Sequence, residues 1–372
     1  MTLADIPALR LHFQYLTERN TPITAQTLVS AMGAIQAQDA DMVKWAMGVR
    51  LRTITKTMVE EALQSGALVR THVLRPTWHI VAAGDVRWMQ ALTGKHIKGS
   101  FASHEREHGI EAALYARVND VIAKALEGGN HLTREEVMQV LEQHGIETNS
   151  SRAALFMMNA ETDAIVCNGT PRGKELTYAL LDEKVPPQSN VFTREESLSM
   201  LAERYFTSHA PATVQDFHWW SGLPMPDARL GLNSIAETLQ SCEVEGKTYW
   251  MPKGISLKEL SENTPNNVSK KKQANAALLL LPAFDEYCVS YKDRSAVFEP
   301  RFHGEAITSN GIFKPIIVAN GRVVGIWKRT VRKNTIVIEP HFFDPKTAFQ
   351  TEDLRGAVEA FGRFQEISTV IA

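Results

Sequence analysis

Apolar side chains recur at three- and four-residue spacing along the first part of the chain. This spacing predicts helices at residues 8–18, 23–35, 40–52 and 55–65. Thr55 is the expected N-cap of the fourth helix, and Gly66 is expected to end it. The stretch LVRTHVLRPTWHIVA that follows is rich in β-branched and aromatic residues. It predicts two short strands joined by a tight connection, with a short helix at residues 85–92 after them.

The order of helices followed by a hairpin occurs three times. The second copy has helices predicted at 111–127, 133–144 and 150–162, then the strands AIVCNG and ELTYALLDE. The third has helices at 195–206, 213–220 and 226–240, then SCEVEGKTYWMPK with Glu245-Gly246 at its turn. The helix at 133–144 opens with a Thr-Arg-Glu-Glu capping box, and the third copy opens with nearly the same cap. Three helices and a hairpin form the winged-helix pattern, which occurs both in DNA-binding proteins and as a packing module.

The last part of the chain has a different pattern. Residues 254–275 are polar, include Lys270-Lys271-Lys272, and predict an irregular connector. From residue 276 the chain favours strands, in AALLLLPAF, YCVSY, AVFEP and the long stretch 311–343, where Asn320-Gly321 predicts a hairpin turn. A closing helix is expected near residues 352–367. The fold class predicted is therefore α+β, with three tandem winged-helix units followed by a small antiparallel β-barrel and a C-terminal helix. The expected boundaries are 1–100, 101–188, 189–265 and 266–372.

Charge and composition narrow the class of protein. The 372 residues carry a formal net charge of -2, which argues against strong non-specific nucleic-acid binding by the chain as a whole. A local basic face is still compatible with that balance, and Lys328-Arg329 with Arg332-Lys333 predict one.

Cysteine usage and hydropathy point to the cytoplasm. The three cysteines are far apart and odd in number, so neither a disulfide framework nor a structural zinc is expected. The N-terminus shows no signal-peptide pattern, and the longest apolar run, residues 276–282, is far too short to span a membrane. We therefore expect a cytoplasmic protein without a membrane partner.

Two glutamines lie between the second and third predicted helices, at Gln36 and Gln38. On a continuous helix, positions two apart point roughly 200° away from each other, whereas on an extended connector they face the same way. If the two side chains act together, this stretch must be a break between helices. Asp39 fits the N-cap of the helix after the break, with Asp41 in its first turn.

One stretch matches a zinc-binding motif letter for letter. His104 and His108 lie in H-E-x-x-H spacing, with a glutamate after the first histidine. Both intervening positions are charged, Gly109 follows directly, and no third ligand is recognisable nearby. We interpret the stretch as a solvated helix end and expect no metal. The chain also has no Gly-rich phosphate loop and no Gly-x-Ser-x-Gly elbow.

Several long strings together resemble the AlkZ-like winged-helix DNA glycosylases. They are Gln36-Ala37-Gln38-Asp39 with residues 45–50 behind it, LVRTHVLRPTWHIV, AIVCNGTPRGKELTYALLDE, LLPAFDEYCVSYKDRS and NGIFKPIIVANGRVVGIWKRT. The resemblance covers nearly the whole chain. It implies three winged helices and a β-barrel in a C-shape around DNA. It also implies removal of purines alkylated at N7 and, in some members, unhooking of crosslinks.

The resemblance assigns roles to particular residues. The family signature of glutamine, apolar residue and glutamine maps onto Gln36-Ala37-Gln38, whereas a related branch has aspartate at the second polar position. A hairpin near the start of the barrel is implied to probe the duplex. The matching region is 288–296, with a tip formed by Tyr291, Lys292, Asp293 and Arg294.

The chemistry of such a site is compatible with glutamine. Glutamine is neither a useful acid nor a useful base at neutral pH, but it offers a carbonyl acceptor and two amide donors. A purine alkylated at N7 is already cationic and leaves without a general acid. Two preorganised carbonyls can then position a water and face the developing oxocarbenium ion. We predict Gln36, Gln38 and Asp39 as catalytic residues, with capping as the favoured role of Asp39, and no cofactor.

Other polar residues are candidates for DNA contact. They lie in the first hairpin, at His72, Arg75 and His79, and in the second, at Arg172 and Lys174. Trp78 and the pair Trp219-Trp220 are expected in the core. The partner predicted is double-stranded DNA containing alkylated purines, bound by a monomer. The alternative function is a tandem winged-helix DNA-binding protein or regulator that carries out no chemistry.

Overall fold

The computed structural model describes residues 1–17, 24–187, 191–255, 278–344 and 349–372. The first unit contains four helices and a three-stranded sheet in the order β1-β3-β2. Its elements are α1 (Ile6–Phe13), α2 (Ala25–Met32), β1 (Ile35–Gln36), α3 (Met42–Gly48), α4 (Lys56–Gln64), β2 (Leu68–His72) and β3 (Trp78–Ala82). The predicted break between the second and third helices is confirmed. Both helices are shorter than predicted. α2 ends early because Gly33, with a φ of 79°, follows its last residue. The positions 18 and 23 of the predicted helices lie outside the described residues.

The second unit again places helices before a hairpin. α5 (Val86–Gly99), within the expected bounds of the first unit, connects its hairpin to the second unit. The second unit contains α6 (Ala102–Glu107), α7 (Ala112–Leu126), β4 (Leu132–Thr133), α8 (Arg134–Gln143), α9 (Ser150–Thr162), β5 (Val166–Asn168), β6 (Thr177–Leu180) and α10 (Leu181–Lys184). The capping box at Thr133 and Glu136 is confirmed. The second predicted strand is too long, since the backbone turns helical from Leu181.

The third unit repeats the order. It contains α11 (Arg194–Ser208), α12 (Val214–Ser221), α13 (Met225–Ser234), β7 (Leu239–Val244) and β8 (Lys247–Pro252). Glu245 and Gly246 have φ values of 47° and 73°, the left-handed conformation that a two-residue hairpin turn requires, so this predicted turn is confirmed. The assignment of the three units as winged helices and the boundaries between them stay predictions.

Within the described residues, the C-terminal part is a curled sheet with two short helices and one longer helix. It contains β9 (Leu278–Leu281), α14 (Glu286–Val289), α15 (His303–Ala306), β10 (Ile316–Ala319), β11 (Arg322–Arg332), β12 (Thr335–Phe342), α16 (Arg355–Gln365) and β13 (Ser368–Ile371). The predicted turn at Asn320-Gly321 is confirmed by φ values of 50° and 78°. The predicted connector with Lys270-Lys271-Lys272 lies mostly outside the described residues.

The expected small antiparallel β-barrel is confirmed only in part. The described strands form a curled half-barrel in the order β13-β12-β11-β10-β9, which is open between its two edge strands. β13 also pairs with β12 in parallel, because the chain crosses over through α16 before it returns. In addition, YCVSY and AVFEP were expected to be strands, and the structure has a short helix and irregular backbone there.

The first unit packs against both the curled sheet and the third unit. Trp45 of α3 lies edge-on against Phe361 of α16 and donates its indole N–H to the carbonyl of Leu280 at 2.6 Å. On the other side, Gly33 approaches the ring of Trp220 so closely that an added Cβ would lie 3.0 Å from it. β1 is therefore held between these two neighbours. None of the helices in the described ranges is long and apolar enough to cross a membrane.

Candidate active site

The backbone around Gln36 is fixed on both sides. β1 is an edge strand, and Gln36 lies opposite His79 on β3. The N–H of Ala37 donates to the carbonyl of Trp78 at 2.6 Å, and the carbonyl of Ala37 accepts Nε of Arg70 at 3.1 Å. With both backbone groups of Ala37 bonded, the connector is a rigid element, which suits groups that must act without rearranging.

The backbone N–H of Gln36 points away from β3 and meets a carboxylate. It donates to Oε1 of Glu286 at 2.6 Å. Glu286 is fully buried, and its other oxygen accepts the indole N–H of Trp220 at 3.1 Å and the hydroxyl of Ser290. Burial by itself raises the pKa of a carboxyl, but His209 at 3.7 Å, Ser290 and the Gln36 N–H outweigh burial and lower the pKa of Glu286 to about 2. Glu286 is therefore an anion at neutral pH.

The two glutamine side chains lie in different surroundings. Gln36 is only 6% exposed, and its Oε1 accepts Nη2 of Arg75 at 2.7 Å. Gln38 follows the strand and is exposed. The predicted break between the helices is present, with Gln36 at the end of β1 and Gln38 in the bend that follows, and only one of the two amides is exposed.

Arg75 contacts the Gln36 amide, and His79 lies opposite Gln36 on β3. Burial lowers the pKa of Arg75, and the charge of Glu286 opposes that shift. Burial, with the charge of Arg75, lowers the pKa of His79 to about 3. Nδ1 of His79 lies 2.9 Å from the carbonyl of Thr77. Because a carbonyl only accepts, Nδ1 carries the proton and Nε2 is the bare acceptor of a neutral imidazole.

The N-cap position expected for Asp39 is wrong, although its side chain still binds backbone N–H groups at the start of α3. Its Oδ1 accepts the N–H groups of Asp41 and Met42 at 3.0 and 2.9 Å. α3 begins at Met42, so Asp41 takes the N-cap position and does not lie in the first turn as expected. The Asp41 carboxylate instead contacts Lys56 at 2.8 Å and Arg329 of β11 at 2.6 Å. Burial raises the pKa of Asp41, but these cations and Lys44 overcome it and lower the pKa to about 2.

Residues 288–296, expected to form a hairpin that probes DNA, do not form a β-hairpin. This segment contains the end of α14 and irregular backbone, with no strand. Tyr291 is fully buried, and its hydroxyl donates to the carbonyl of His209 and accepts from Gln14. Its interior position removes Tyr291 from the surface that DNA could contact. Lys292 is exposed, whereas Asp293 and Arg294 are half-buried.

The remaining candidates for DNA contact differ in the exposure of their side chains. His72 is buried and contacts Glu161 of α9, and His79 is fully buried, so neither presents a surface to DNA in this structure. Arg75 is partly buried. Arg172 and Lys174 are exposed, and Arg172 pairs with Glu136.

Trp219 lies next to this site, although the sequence pattern places it in the core. It is half-buried, and its ring is approached by three cations. The centroid lies 4.6 Å from Nζ of Lys292, 5.6 Å from Arg294 and 6.0 Å from Arg75. Trp220, in contrast, is fully buried as expected. The sequence pattern predicts the same core position for both tryptophans, and only the structure shows that their exposure differs.

Glu286 was also not identified from the sequence as a residue of this site. The sequence feature that could have indicated Glu286 is the pair Asp285-Glu286 within the otherwise apolar stretch LLPAFDEYCV. Carboxylates are rarely buried unless they are paired, so two adjacent ones in an apolar stretch suggest buried partners for both. Asp285 is indeed paired, through both oxygens, with the guanidinium of Arg50 at 2.8 and 2.9 Å.

The H-E-x-x-H stretch forms part of the short helix α6, where His104 is exposed and His108 lies just past the helix end. Within the ranges that the structure describes, no group of three or more His, Cys, Asp or Glu side chains could hold a metal ion.

Comparison with known proteins agrees with this architecture. A family model described as DNA glycosylase AlkZ-like matches residues 29–364. By class the chain is thus a DNA glycosylase, and it belongs to the AlkZ-like family of these enzymes, which confirms the resemblance seen in its sequence. A protein of Streptomyces sahachiroi named interstrand DNA cross-link repair glycosylase is 23% identical over 334 residues, which are 86% of each chain. The solved structure of Streptomyces sahachiroi DNA glycosylase AlkZ shares the fold over the full length of both chains, with a TM-score of 0.77 and 18% identity.

Proposed function

We propose that this chain hydrolyses the N-glycosidic bond of purines alkylated at N7 in duplex DNA, as a monofunctional glycosylase. The observation that carries the proposal is the placement of Gln36, whose backbone N–H binds the buried carboxylate of Glu286, whose amide oxygen accepts from Arg75, and which lies opposite His79 on β3. With pKa values of about 2 and about 3, neither Glu286 nor His79 holds a spare proton at neutral pH. A site flanked in this way suits a base that is already cationic and needs no proton in order to leave.

The reaction balances without an acid. The C1′–N9 bond breaks, its electron pair moves to the alkylated purine, and the base leaves as a neutral molecule. The sugar becomes an oxocarbenium ion, to which water adds at C1′ with release of one proton. Gln36, Gln38 and Asp39 are the proposed catalytic residues, and the rigid connector supports them, because groups held in place do not have to reorganise during the reaction.

The exposure of Gln38 supports a substrate range that includes bulky adducts. A lesion that projects from the groove can approach an exposed amide more easily than one at the bottom of a closed cavity. The name of the Streptomyces sahachiroi relative refers to interstrand cross-links. We extend the proposal to bulky N7 adducts and crosslinks on these two grounds.

The proposed DNA contacts lie at exposed cations. They include Lys292 with the ring of Trp219 beside it, Arg172 and Lys174. The long hairpin of β11 and β12 adds Arg332 and Lys333 at its exposed tip, and its strand residue Arg329 is tied to Asp41, close to Gln38. This hairpin is our candidate for the element that probes the duplex, in place of residues 288–296.

Base release from defined duplexes tests the proposal. Wild-type protein is incubated with a duplex containing 7-methylguanine, a second containing a bulkier N7 adduct, and an N7 crosslink. We expect release of the modified base, and Gln38→Ala to slow single-turnover release by about 100-fold or more. Gln143→Ala, which removes an exposed glutamine on α8, is the matched control and should release base at the wild-type rate.

Wild-type protein that binds these duplexes but releases no base would support the non-catalytic DNA-binding alternative instead. Release from the methylated duplex alone would remove bulky adducts and crosslinks from the proposal. Equal release by Gln38→Ala and wild type would contradict the site assignment.

A further inference from the structure

The side chain that contacts the Gln36 amide comes from the turn between β2 and β3. In this turn the N–H of Arg75 donates to the carbonyl of Val73, and the carbonyl of Arg75 accepts the N–H of Thr77, both at 2.7 Å. Leu74 has a φ of 63°. The backbone of Arg75 is therefore held tightly, and its Nη2 donates to Oε1 of Gln36 at 2.7 Å.

The chemistry of the guanidinium group decides how the Gln36 amide is turned. Arginine has five N–H donors and no acceptor, so only the carbonyl oxygen of an amide can face it. With Oε1 held by Arg75, the NH₂ group of Gln36 must point in another direction. The oxygen and nitrogen of a glutamine amide can usually exchange places without changing the shape of the side chain. Here the guanidinium of Arg75 fixes the oxygen as the atom that faces it.

We propose that Arg75 is a positioning residue, which holds the Gln36 carbonyl so that Gln36 serves the reaction as a hydrogen-bond donor while Gln38 supplies the accepting carbonyl. This inference rests on the proposed function. A water between such a pair accepts from the NH₂ of Gln36 and donates to the carbonyl of Gln38. One lone pair is then left to add to C1′. Two accepting carbonyls would hold only the hydrogens of that water and leave its oxygen less well oriented.

The charge of Arg75 is balanced on the opposite side of Gln36. A lone cation next to a developing oxocarbenium ion would oppose the reaction. Glu286, which binds the backbone N–H of the same residue, contributes the compensating negative charge and acts favourably on Arg75. Gln36 is thereby held between an anion, which binds its backbone N–H, and a cation, which binds its side-chain carbonyl.

The competing role for Arg75 is a direct contact with a DNA phosphate, which the sequence indicates and which its partial exposure permits. The two roles separate in a measurement of rate and affinity. We expect Arg75→Met to slow single-turnover release of 7-methylguanine at saturating protein by about 100-fold, the size of effect that small misplacement of a catalytic group produces. The Kd for an intact duplex of the same sequence should change less than about threefold.

A double-mutant cycle tests whether Arg75 acts through Gln36. In a Gln36→Ala background, Arg75→Met should slow release further by less than about twofold, because coupled residues are strongly non-additive. Arg75→Lys, which keeps the charge but has one compact donor group, serves if the methionine variant does not fold. It should give the same pattern with a smaller loss. Arg87→Met removes another arginine, paired with Asp182, and should behave as wild type.

Two results would overturn the inference. One is a tenfold or larger rise in Kd with an unchanged rate at saturation, which indicates a phosphate contact. The other is a full effect of Arg75→Met in the Gln36→Ala background. Crystal structures of wild type and Arg75→Met give a readout that does not need activity. The Gln36 side chain should change its rotamer in the variant, and an unchanged rotamer would contradict the proposal even if wild type released no base.

Discussion

Oε1 of Glu286 accepts the backbone N–H of Gln36 at 2.6 Å, across a separation of 250 residues in the chain. An edge strand leaves every second N–H without a strand partner, and a buried unpaired N–H is costly. In this chain the carboxylate that satisfies it comes from α14, at the start of the C-terminal sheet. The position of the proposed catalytic connector therefore depends on how the first unit and the curled sheet are docked.

Glu286→Gln should affect both activity and stability. The new side chain can still accept one hydrogen bond, but it has no charge and turns an amide donor toward Trp220 or Gln36. We expect single-turnover base release to slow by about 10-fold or more, and the free energy of unfolding to fall by about 1–3 kcal/mol. Urea unfolding and release from a 7-methylguanine duplex measure the two effects. Glu237→Gln, at an exposed carboxylate, should change neither.

Two substitutions distinguish a capping role of Asp39 from a part in the reaction. Asn and Asp cap helices about equally well, whereas Ala removes the acceptor for the N–H groups of Asp41 and Met42. If Asp39 is only a cap, Asp39→Asn keeps both stability and base release. Asp39→Ala then loses about 1 kcal/mol of unfolding free energy. A large loss of base release in Asp39→Asn, with stability retained, would instead make the carboxylate a participant in the reaction.

The buried pair of Arg50 and Asp285 should be among the most sensitive contacts in the molecule. Both side chains are fully buried, and Arg50 also binds the carbonyl and Oε1 of Gln14. We expect Asp285→Asn to lower the free energy of unfolding by about 3–5 kcal/mol, because it leaves a buried cation without its partner. Glu299→Gln breaks an exposed pair with Arg301 and should cost less than about 1 kcal/mol. Equal losses in the two variants would show that the buried pair contributes no more than a surface pair.

Asp41 should make stability depend on pH in the acid range. Its pKa is about 2 in the folded chain and near its ordinary 3.8 in the unfolded chain. A lowered pKa stabilises the folded state at pH values above the unfolded pKa, and this contribution is lost as the pH falls from about 4 toward about 2. We expect Asp41→Asn to cost about 1 kcal/mol or less at pH 7, since the carboxylate is about half exposed. Urea unfolding from pH 7 to pH 3 should show the two proteins converging at the acid end, and a constant difference would refute the linkage.

The local elements of the fold follow from the sequence to a large extent. The capping box at Thr133, the turn at Glu245-Gly246 and the break around Gln36 were all indicated by residues only a few positions apart. Caps and tight turns are determined by a few neighbouring side chains, so a local pattern is sufficient to predict them. The apolar spacing and the long family strings also predicted the α+β class and the membership of the AlkZ-like family.

The surroundings of the two glutamines were decided only by the tertiary structure. Spacing placed Gln36 and Gln38 on one extended connector, but it could not show that Arg75 holds one amide while the other stays exposed. It could not show Glu286 either, because that carboxylate reaches Gln36 only when distant parts of the chain pack together. Burial and long-range pairing depend on such docking. The sequence on its own therefore indicated where the proposed site lies, while the packed structure determined how the side chains there are charged and oriented.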